Sequence, residues 1–381
     1  MNTFLIPLEP LEERYTASWY MNIPLAFKEV YSNVVVIDGQ PLSDYVDVGT
    51  FLDLNSSAYY KSEQLKQISS LFYNRTVQNG DIFFVFDVQF PGIETIKLLS
   101  SLQGIKVSIF GFCHASSYTF EDFMEPAAPF LKYFELGWLA AFDLIFVGTE
   151  YHKRAIIERR ITPLVVNETE KRKLSEKIVV TGNPLFPSDY AVFDNQLPKK
   201  KQLIISNRFD WEKRPNLSLD FCYILKRRVP DLNIVVTTSR PNFKSNKSWL
   251  VELARCLEKD GIIQIYAGLT KKEYHTLLAE SKIFLTNTIE ENFGYCLVES
   301  ILSNTLPIAE NKYSHPELLK NDSRFLFDDT DEIVSKALSL LDMECDITSL
   351  AKWYFGSMDR IINAITQYTE GDGYRCDPYK M

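Results

Sequence analysis

The sequence predicts an α/β protein built as two Rossmann-like domains, and three observations carry that prediction. Short β-branched and aromatic runs alternate with longer amphipathic stretches along the chain. Near-continuous apolar strands between helical patterns are the mark of parallel sheets covered on both faces. Six such runs fall on each side of a Pro- and Gly-punctuated break, and 381 residues exceed what one ordinary core fills.

In order, the predicted strands of the first half are Phe4–Ile6, Val34–Ile37, Asp81–Phe86, Lys106–Phe110, Leu144–Val147 and Lys177–Thr181. Those of the second are Gln202–Ser206, Asn233–Thr238, Ile262–Tyr266, Lys282–Asn287, Leu306–Ala309 and Arg324–Phe327. Gly182, Pro184, Pro187 and Pro198 punctuate the break, and a lysine triplet closes it. The parse is therefore 1–183 for the first domain, 184–200 for a linker, 201–349 for the second domain, and 350–381 for a C-terminal helix and tail. Pro215 suits a first helical position, with Leu217, Phe221, Ile224 and Leu225 on one face before Pro230 stops the helix. Gly294 to Ser303 reads as a further helix. Asp329 and Asp331 precede an amphipathic run and are expected to cap it rather than to bind a metal. The stretch Leu350–Tyr368 carries Trp353, Tyr354, Ile361, Ile362 and Ile365, which need a surface to cover, and it is expected to cross back to the first domain.

Hydrophobic residues make up 46% and charged residues 24%, the balance of a globular protein. The cysteines (Cys113, Cys222, Cys256, Cys296, Cys345, Cys376) are spread without paired spacing and read as reduced thiols, with no zinc framework. Neither a signal peptide nor a membrane span is expected, so the predicted location is the cytoplasm. A net charge of −9 and a pI near 5.2 argue against broad affinity for nucleic acid without excluding a local basic groove. Lys171–Lys173, Lys199–Lys201 and Lys226–Arg228 are read as solvated charges. Nothing in the sequence sets an oligomeric state.

Glu291 and Glu299, separated by seven residues in Glu-Asn-Phe-Gly-Tyr-Cys-Leu-Val-Glu, sit where a predicted strand gives way to a predicted helix. A helix N-terminus offers unpaired N–H groups and a positive dipole end, so this is an anion-binding corner flanked by two carboxylates. It suits a ligand with phosphates in the middle and hydroxyl-rich sugars on either side, as in a nucleotide-sugar. Arg208 and Lys213 follow the neighbouring strand and precede the helix that opens at Pro215. The two would neutralise a pyrophosphate, arginine through a planar fork and lysine as a point charge.

On these residues the second half resembles the donor-binding domain of retaining GT-B glycosyltransferases, the group with a Glu–seven–Glu motif. That group reads Glu-x-Phe-Gly, four residues, then Glu; Glu291-Asn292-Phe293-Gly294 and Glu299 match it. Its Gly-Arg-x-x-x-x-Lys segment has a counterpart in Asn207-Arg208 and Lys213, and Tyr266-Ala267-Gly268-Leu269-Thr270 is similar to its loop near the nucleotide base. The resemblance runs from about Lys201 to Pro307. It implies a GT-B fold with the two domains facing a cleft, and a UDP- or GDP-type nucleotide-sugar as co-substrate, with no metal required and no other cofactor. It also implies roles. Glu291 would hold donor-sugar hydroxyls, Glu299 the ribose hydroxyls, and Asn292, Phe293 and Gly294 would line the sugar and phosphate. Gly268 and Leu269 would lie near the base, and Arg208 and Lys213 would stabilise the departing diphosphate. His114, after the fourth strand, matches a histidine placed near the donor sugar.

Two departures from the group's pattern stand out. Glu299-Ser-Ile-Leu-Ser-Asn304-Thr-Leu-Pro307 is one residue longer than usual, with Asn304 expected in the left-handed conformation glycine would provide. Tyr313-Ser314-His315-Pro316 replaces a Gly-rich patch, which leaves the sugar open. On the acceptor side, Tyr15 and Trp19 are expected to stack or hydrogen-bond, and Asp87 to reach the cleft; the alternative for Trp19 is the core of an amphipathic helix. The opening segment Pro7–Tyr20 resembles that of bacteriophage-encoded glycosyltransferases, some of which modify hydroxymethylated DNA bases. DNA is therefore the first acceptor considered, in the host cytoplasm, with a glycan, lipid or small molecule as the alternative and a non-catalytic nucleotide-binding module as the rival from another class.

Overall fold

The computed structural model describes residues 1–11, 14–40, 42, 53–194, 197–238 and 242–371. Glu12, Glu13 and Cys376 lie outside the described residues. Twelve described strands form two all-parallel sheets. The first joins β1 (Thr3–Ile6), β2 (Val34–Val36), β3 (Ile82–Val85), β4 (Ser108–Phe112), β5 (Leu144–Val147) and β6 (Ile178–Val180) in the order β2-β1-β3-β4-β5-β6. The second joins β7 (Lys200–Ser206), β8 (Asn233–Thr238), β9 (Gln264–Ala267), β10 (Ser281–Leu285), β11 (Leu306–Glu310) and β12 (Leu326–Phe327) in the order β12-β11-β10-β7-β8-β9. Each is a doubly wound sheet, with strand order reversing between β1 and β3 in one and between β7 and β10 in the other.

Alternation along the strands divides the first domain's core between the two faces of its sheet. Phe4, Ile6, Phe83 and Val85 pack on one side with Ile68, Phe72, Ile93 and Ile96. Leu5, Phe84, Phe110 and Phe146 pack on the other, where Trp19, Ile23 and Phe27 of the helix Tyr15–Val30 cover them. The helix Ser357–Glu370 completes that same face with Met358, Ile361, Ile362 and Ile365, so the C-terminal helix does return to the first domain. Tyr31 bonds Thr366 at 3.0 Å, and Tyr368 donates to Asp143 at 3.0 Å, which fixes its register there.

Some local expectations are corrected. The fourth strand runs two residues further along the chain than predicted, because Gly111 continues it, paired with Val85 and Ile145. Trp353 is 41% exposed and lies under the Arg360 guanidinium instead of covering a surface, and it belongs to the 3₁₀ segment Lys352–Gly356 that precedes the last helix. Ile224 is exposed as well, while Phe221 and Leu225 face the core. Asp331 stands at the N-cap of the helix Glu332–Leu341 but makes no side-chain cap; Asp329 accepts the Asp331 N–H at 3.1 Å instead. Asn304 has φ of 55°, as the longer turn requires. The five described cysteines are unpaired.

Candidate functional site

Open α/β sheets bind ligands beyond the carboxyl ends of their strands, where strand order reverses. Both switch points of this protein open onto one cleft of about 970 Å³. Tyr15 and Asp87 follow β1 and β3; Arg208 and Lys213 follow β7; Glu291 and Gly294 follow β10. Each predicted site residue, Tyr15, Trp19, Asp87, His114, Arg208, Lys213, Gly268, Leu269, Glu291, Asn292, Phe293, Gly294 and Glu299, lines this cleft. The lysine-rich triplets do not; Lys200 and Lys201 pair with Glu280 and Asp231 near the other end of the sheet.

In the second domain, the loops after β7 and β10 are tied together. Ile289 N–H donates to the Glu212 carbonyl at 2.8 Å, and Thr288 Oγ1 donates to the same oxygen at 3.1 Å. This brings Lys213 Nζ to 2.8 Å from Glu291 Oε2, while Arg208 Nη2 lies 3.0 Å from Glu212 Oε1. Gly294 caps the helix Tyr295–Leu302 at φ of 81°, a conformation that favours glycine, and an added Cβ would press within 3.2 Å of Glu291 Cγ. Glu299 is buried in the second turn of that helix, where Tyr274 donates to its Oε2 at 2.9 Å and His275 Nε2 stands 3.7 Å from its Oε1.

Charge is balanced locally. Burial pushes the Glu291 carboxyl up, but Lys213, with smaller contributions from His315 and Arg208, holds it below its ordinary value. His315 is driven the other way by burial, against the pull of Glu291, and its Nδ1 lies 3.0 Å from the Glu310 carbonyl. This end of the cleft therefore presents an ionised Glu291 carboxylate beside the Lys213 and Arg208 side chains.

In the first domain, His114 is buried, which lowers its proton affinity despite the nearby charge of Asp87. Its Nε2 lies 2.8 Å from the Phe86 carbonyl, which can only accept, so Nε2 carries the proton and Nδ1 accepts from Tyr15 Oη at 2.9 Å. Both ring nitrogens are thus engaged, and His114 contributes a rigid ring to the cleft wall. Tyr15 stacks on Tyr295 with ring centroids 4.5 Å apart. Trp19 is 1% exposed and donates its indole N–H to the Pro184 carbonyl at 3.0 Å, so it serves both the core and the cleft floor. Asp87 accepts from Gln89 N–H at 3.3 Å, and Lys61 and Arg14 share this end of the cleft.

The residues that sequence reasoning missed are mostly those that join the domains. Glu290 takes hydrogen bonds from Phe120, Tyr151 and Arg159 of the first domain. Glu317 accepts Glu150 N–H at 3.0 Å and Tyr151 N–H at 3.2 Å, at the start of the helix Glu150–Ile156. Asn292, expected at the donor, gives its side-chain amide to His114 O and Thr119 Oγ1 at 3.2 Å each and takes the Thr149 hydroxyl on its main-chain carbonyl at 2.6 Å. Phe293 abuts Gly148 so closely that an added Cβ there would come within 2.9 Å of its ring. Asp122 adds a first-domain carboxyl to the cleft, pushed up to about 6 by burial against the pull of Met124 N–H and Arg208. The doublet Glu290-Glu291 was the one sequence signal for any of this, since neighbouring residues in a loop can serve opposite sides.

Residues 191–353 match the family described as Glycosyl transferases group 1. No curated protein sequence matches the chain. Among solved structures, the fold is similar to sucrose-phosphate synthase from Thermosynechococcus elongatus, at 8% identity and a TM-score of 0.65, covering 97% of this chain and 99% of that one. The α,α-trehalose 6-phosphate synthase from Burkholderia multivorans gives 10% identity and a TM-score of 0.63 over 97% and 99%. The pneumococcal O-GlcNAc transferase GtfA, solved with UDP and GlcNAc, gives 15% identity and a TM-score of 0.55 over 82% of this chain, which spans only 60% of that transferase. The fold is GT-B, with a glycosyl transferases group 1 match in its second half. Among the described residues, no helix is long and apolar enough to cross a membrane.

Proposed function

We propose that this chain is a retaining glycosyltransferase that moves a sugar from a UDP- or GDP-type nucleotide-sugar to a hydroxyl acceptor, with a hydroxymethylated pyrimidine of DNA as the acceptor of first choice. One observation carries the reading: Lys213, Arg208, Glu291, Glu299 and a glycine-capped helix N-terminus converge at the switch point of the second sheet, on the wall of the cleft.

In this reading Glu299 accepts the ribose hydroxyls, and Glu291 accepts hydroxyls of the donor sugar. Arg208 and Lys213 face the diphosphate, so the positive charge that stabilises the leaving group is present before the reaction begins. The bond from the anomeric carbon to the phosphate oxygen breaks, and the acceptor oxygen bonds that carbon on the same face. The acceptor's proton passes to the departing phosphate oxygen. No protein general base is needed for this step, which fits a His114 whose two nitrogens are already engaged. The two cations of the chain take the charge-neutralising role, so no metal is required.

The acceptor end has the chemistry of a planar, hydroxyl-bearing group. Tyr15, Phe120, Phe123 and Trp138 supply aromatic walls, Asp87 supplies an acceptor for a hydroxyl, and Arg14 and Lys61 supply positive charge. A flipped base would stack on such walls.

The test is mass spectrometry of nucleosides after incubation of the purified protein with hydroxymethylated DNA and a panel of UDP- and GDP-sugars, with and without EDTA. A sugar mass added to the modified nucleoside and surviving EDTA is expected, with NMR of the product showing the anomeric configuration of the donor retained. Transfer only to glycans, lipids or small molecules would remove the DNA acceptor. Neither hydrolysis nor transfer with any donor would reduce the protein to a nucleotide-binding module.

A further inference from the structure

Glu290 and Glu291 are consecutive, yet their carboxylates serve opposite domains. Glu291 meets Lys213 at the donor end. The Glu290 side chain is fully buried, and its carboxylate receives Phe120 N–H at 2.7 Å, Arg159 Nη1 at 2.7 Å and the Tyr151 hydroxyl, three groups of the first domain. Arg159 in turn donates to the Tyr118 carbonyl at 3.0 Å and lies over the Phe120 ring, 4.3 Å from its centroid. Phe120 is 52% exposed and lines the acceptor end of the cleft.

We infer that Glu290 is a positioning residue that sets the acceptor wall against the donor site. Through the Phe120 backbone and the Arg159 guanidinium it holds the segment Tyr118–Phe120, and the peptide it shares with Glu291 carries that placement to the donor loop. A buried carboxylate with a cationic partner is costly to leave half-made, so the loop and the first domain engage together or not at all. Loss of Glu290 therefore disturbs the acceptor more than the nucleotide, whose contacts lie on the other side of the loop.

This inference rests on the proposed transferase reading for its kinetic arm only. Glu290→Gln and Arg159→Lys are compared with wild type by calorimetric titration with nucleoside diphosphate, by small-angle scattering, and by steady-state kinetics. The inference predicts nucleoside diphosphate affinity within about twofold of wild type, a larger radius of gyration, and an acceptor KM raised about tenfold or more in Glu290→Gln. It predicts partial recovery in a Glu290→Asp variant. Unchanged scattering and acceptor KM in an active protein would overturn it, and so would an equal loss of acceptor and nucleotide binding. A wild type that transfers no sugar would sink the transferase reading instead, and the scattering comparison would still decide the role of Glu290.

Discussion

Lys213 Nζ lies 2.8 Å from Glu291 Oε2, joining the segments that follow β7 and β10 across the point where strand order reverses. The pair has two consequences. The lysine keeps a buried carboxyl ionised, and the carboxylate keeps the ammonium fixed at the point that the proposed function gives to a diphosphate. A cation held in place before the ligand arrives costs little reorganisation when charge develops on a leaving group.

Glu299 should matter most for nucleotide affinity. Tyr274 already occupies its Oε2, so a ribose diol would meet a carboxylate held in orientation by that tyrosine. Glu299→Ala is expected to weaken nucleoside diphosphate binding by about 10- to 100-fold, the range for losing a hydrogen-bonding partner that carries charge. Tyr274→Phe, which removes only the orienting hydroxyl, should weaken it less. Calorimetric titration of both variants checks the order.

Acid stability should follow His152. Burial, with a smaller contribution from the charge of His114, pushes its imidazole down to about 3. The folded pKa lies below the ordinary 6.5, so the unfolded chain binds the extra proton, and stability is lost as pH falls below 6.5 toward the folded value. Between pH 7 and pH 5 this one site should cost about 2 kcal/mol. Chemical denaturation at the two pH values should show that loss in wild type, reduced by about that amount in His152→Gln. An identical pH dependence in the variant would mean that His152 takes up its proton as readily in the folded as in the unfolded chain.

The first domain should depend on the far end of the chain. Ile361 is fully buried against the sheet face that Leu5, Phe84 and Phe110 share. Ile361→Ala should cost about 2–5 kcal/mol of stability. Limited proteolysis should then cut within the first domain sooner than within the second. Equal protection of both would argue that the last helix is only an appendage.

The doubly wound architecture was legible because β3 and the Ile283–Leu285 part of β10 are apolar at successive positions, which strands covered on both faces require. That Glu291, Gly294 and Glu299 line one cleft was legible because they lie within one strand–turn–helix unit. The contacts between domains were not. Glu290 with Arg159, Glu317 with the Glu150–Ile156 helix, and Asn292 with His114 join residues more than a hundred positions apart. No periodicity or spacing in one sequence encodes such pairs. His114 shows the same limit in another form, since neither its place on the cleft wall nor the two hydrogen bonds that engage its ring could be read from the sequence. Trp353 and Ile224 were misplaced because an apolar side chain on a helical pattern says nothing by itself about whether a neighbour covers it.

The central claim is that the Lys213–Glu291 corner is where a nucleotide-sugar reacts. The most direct measurement is the rate of nucleoside diphosphate release from UDP- and GDP-sugars by wild type, Lys213→Ala and Glu291→Ala, each shown by circular dichroism to be folded. The account predicts turnover by wild type with at least one donor and a fall in kcat of about 10²- to 10³-fold in Lys213→Ala, with a clear loss in Glu291→Ala. Turnover at the wild-type rate in both folded variants would contradict it.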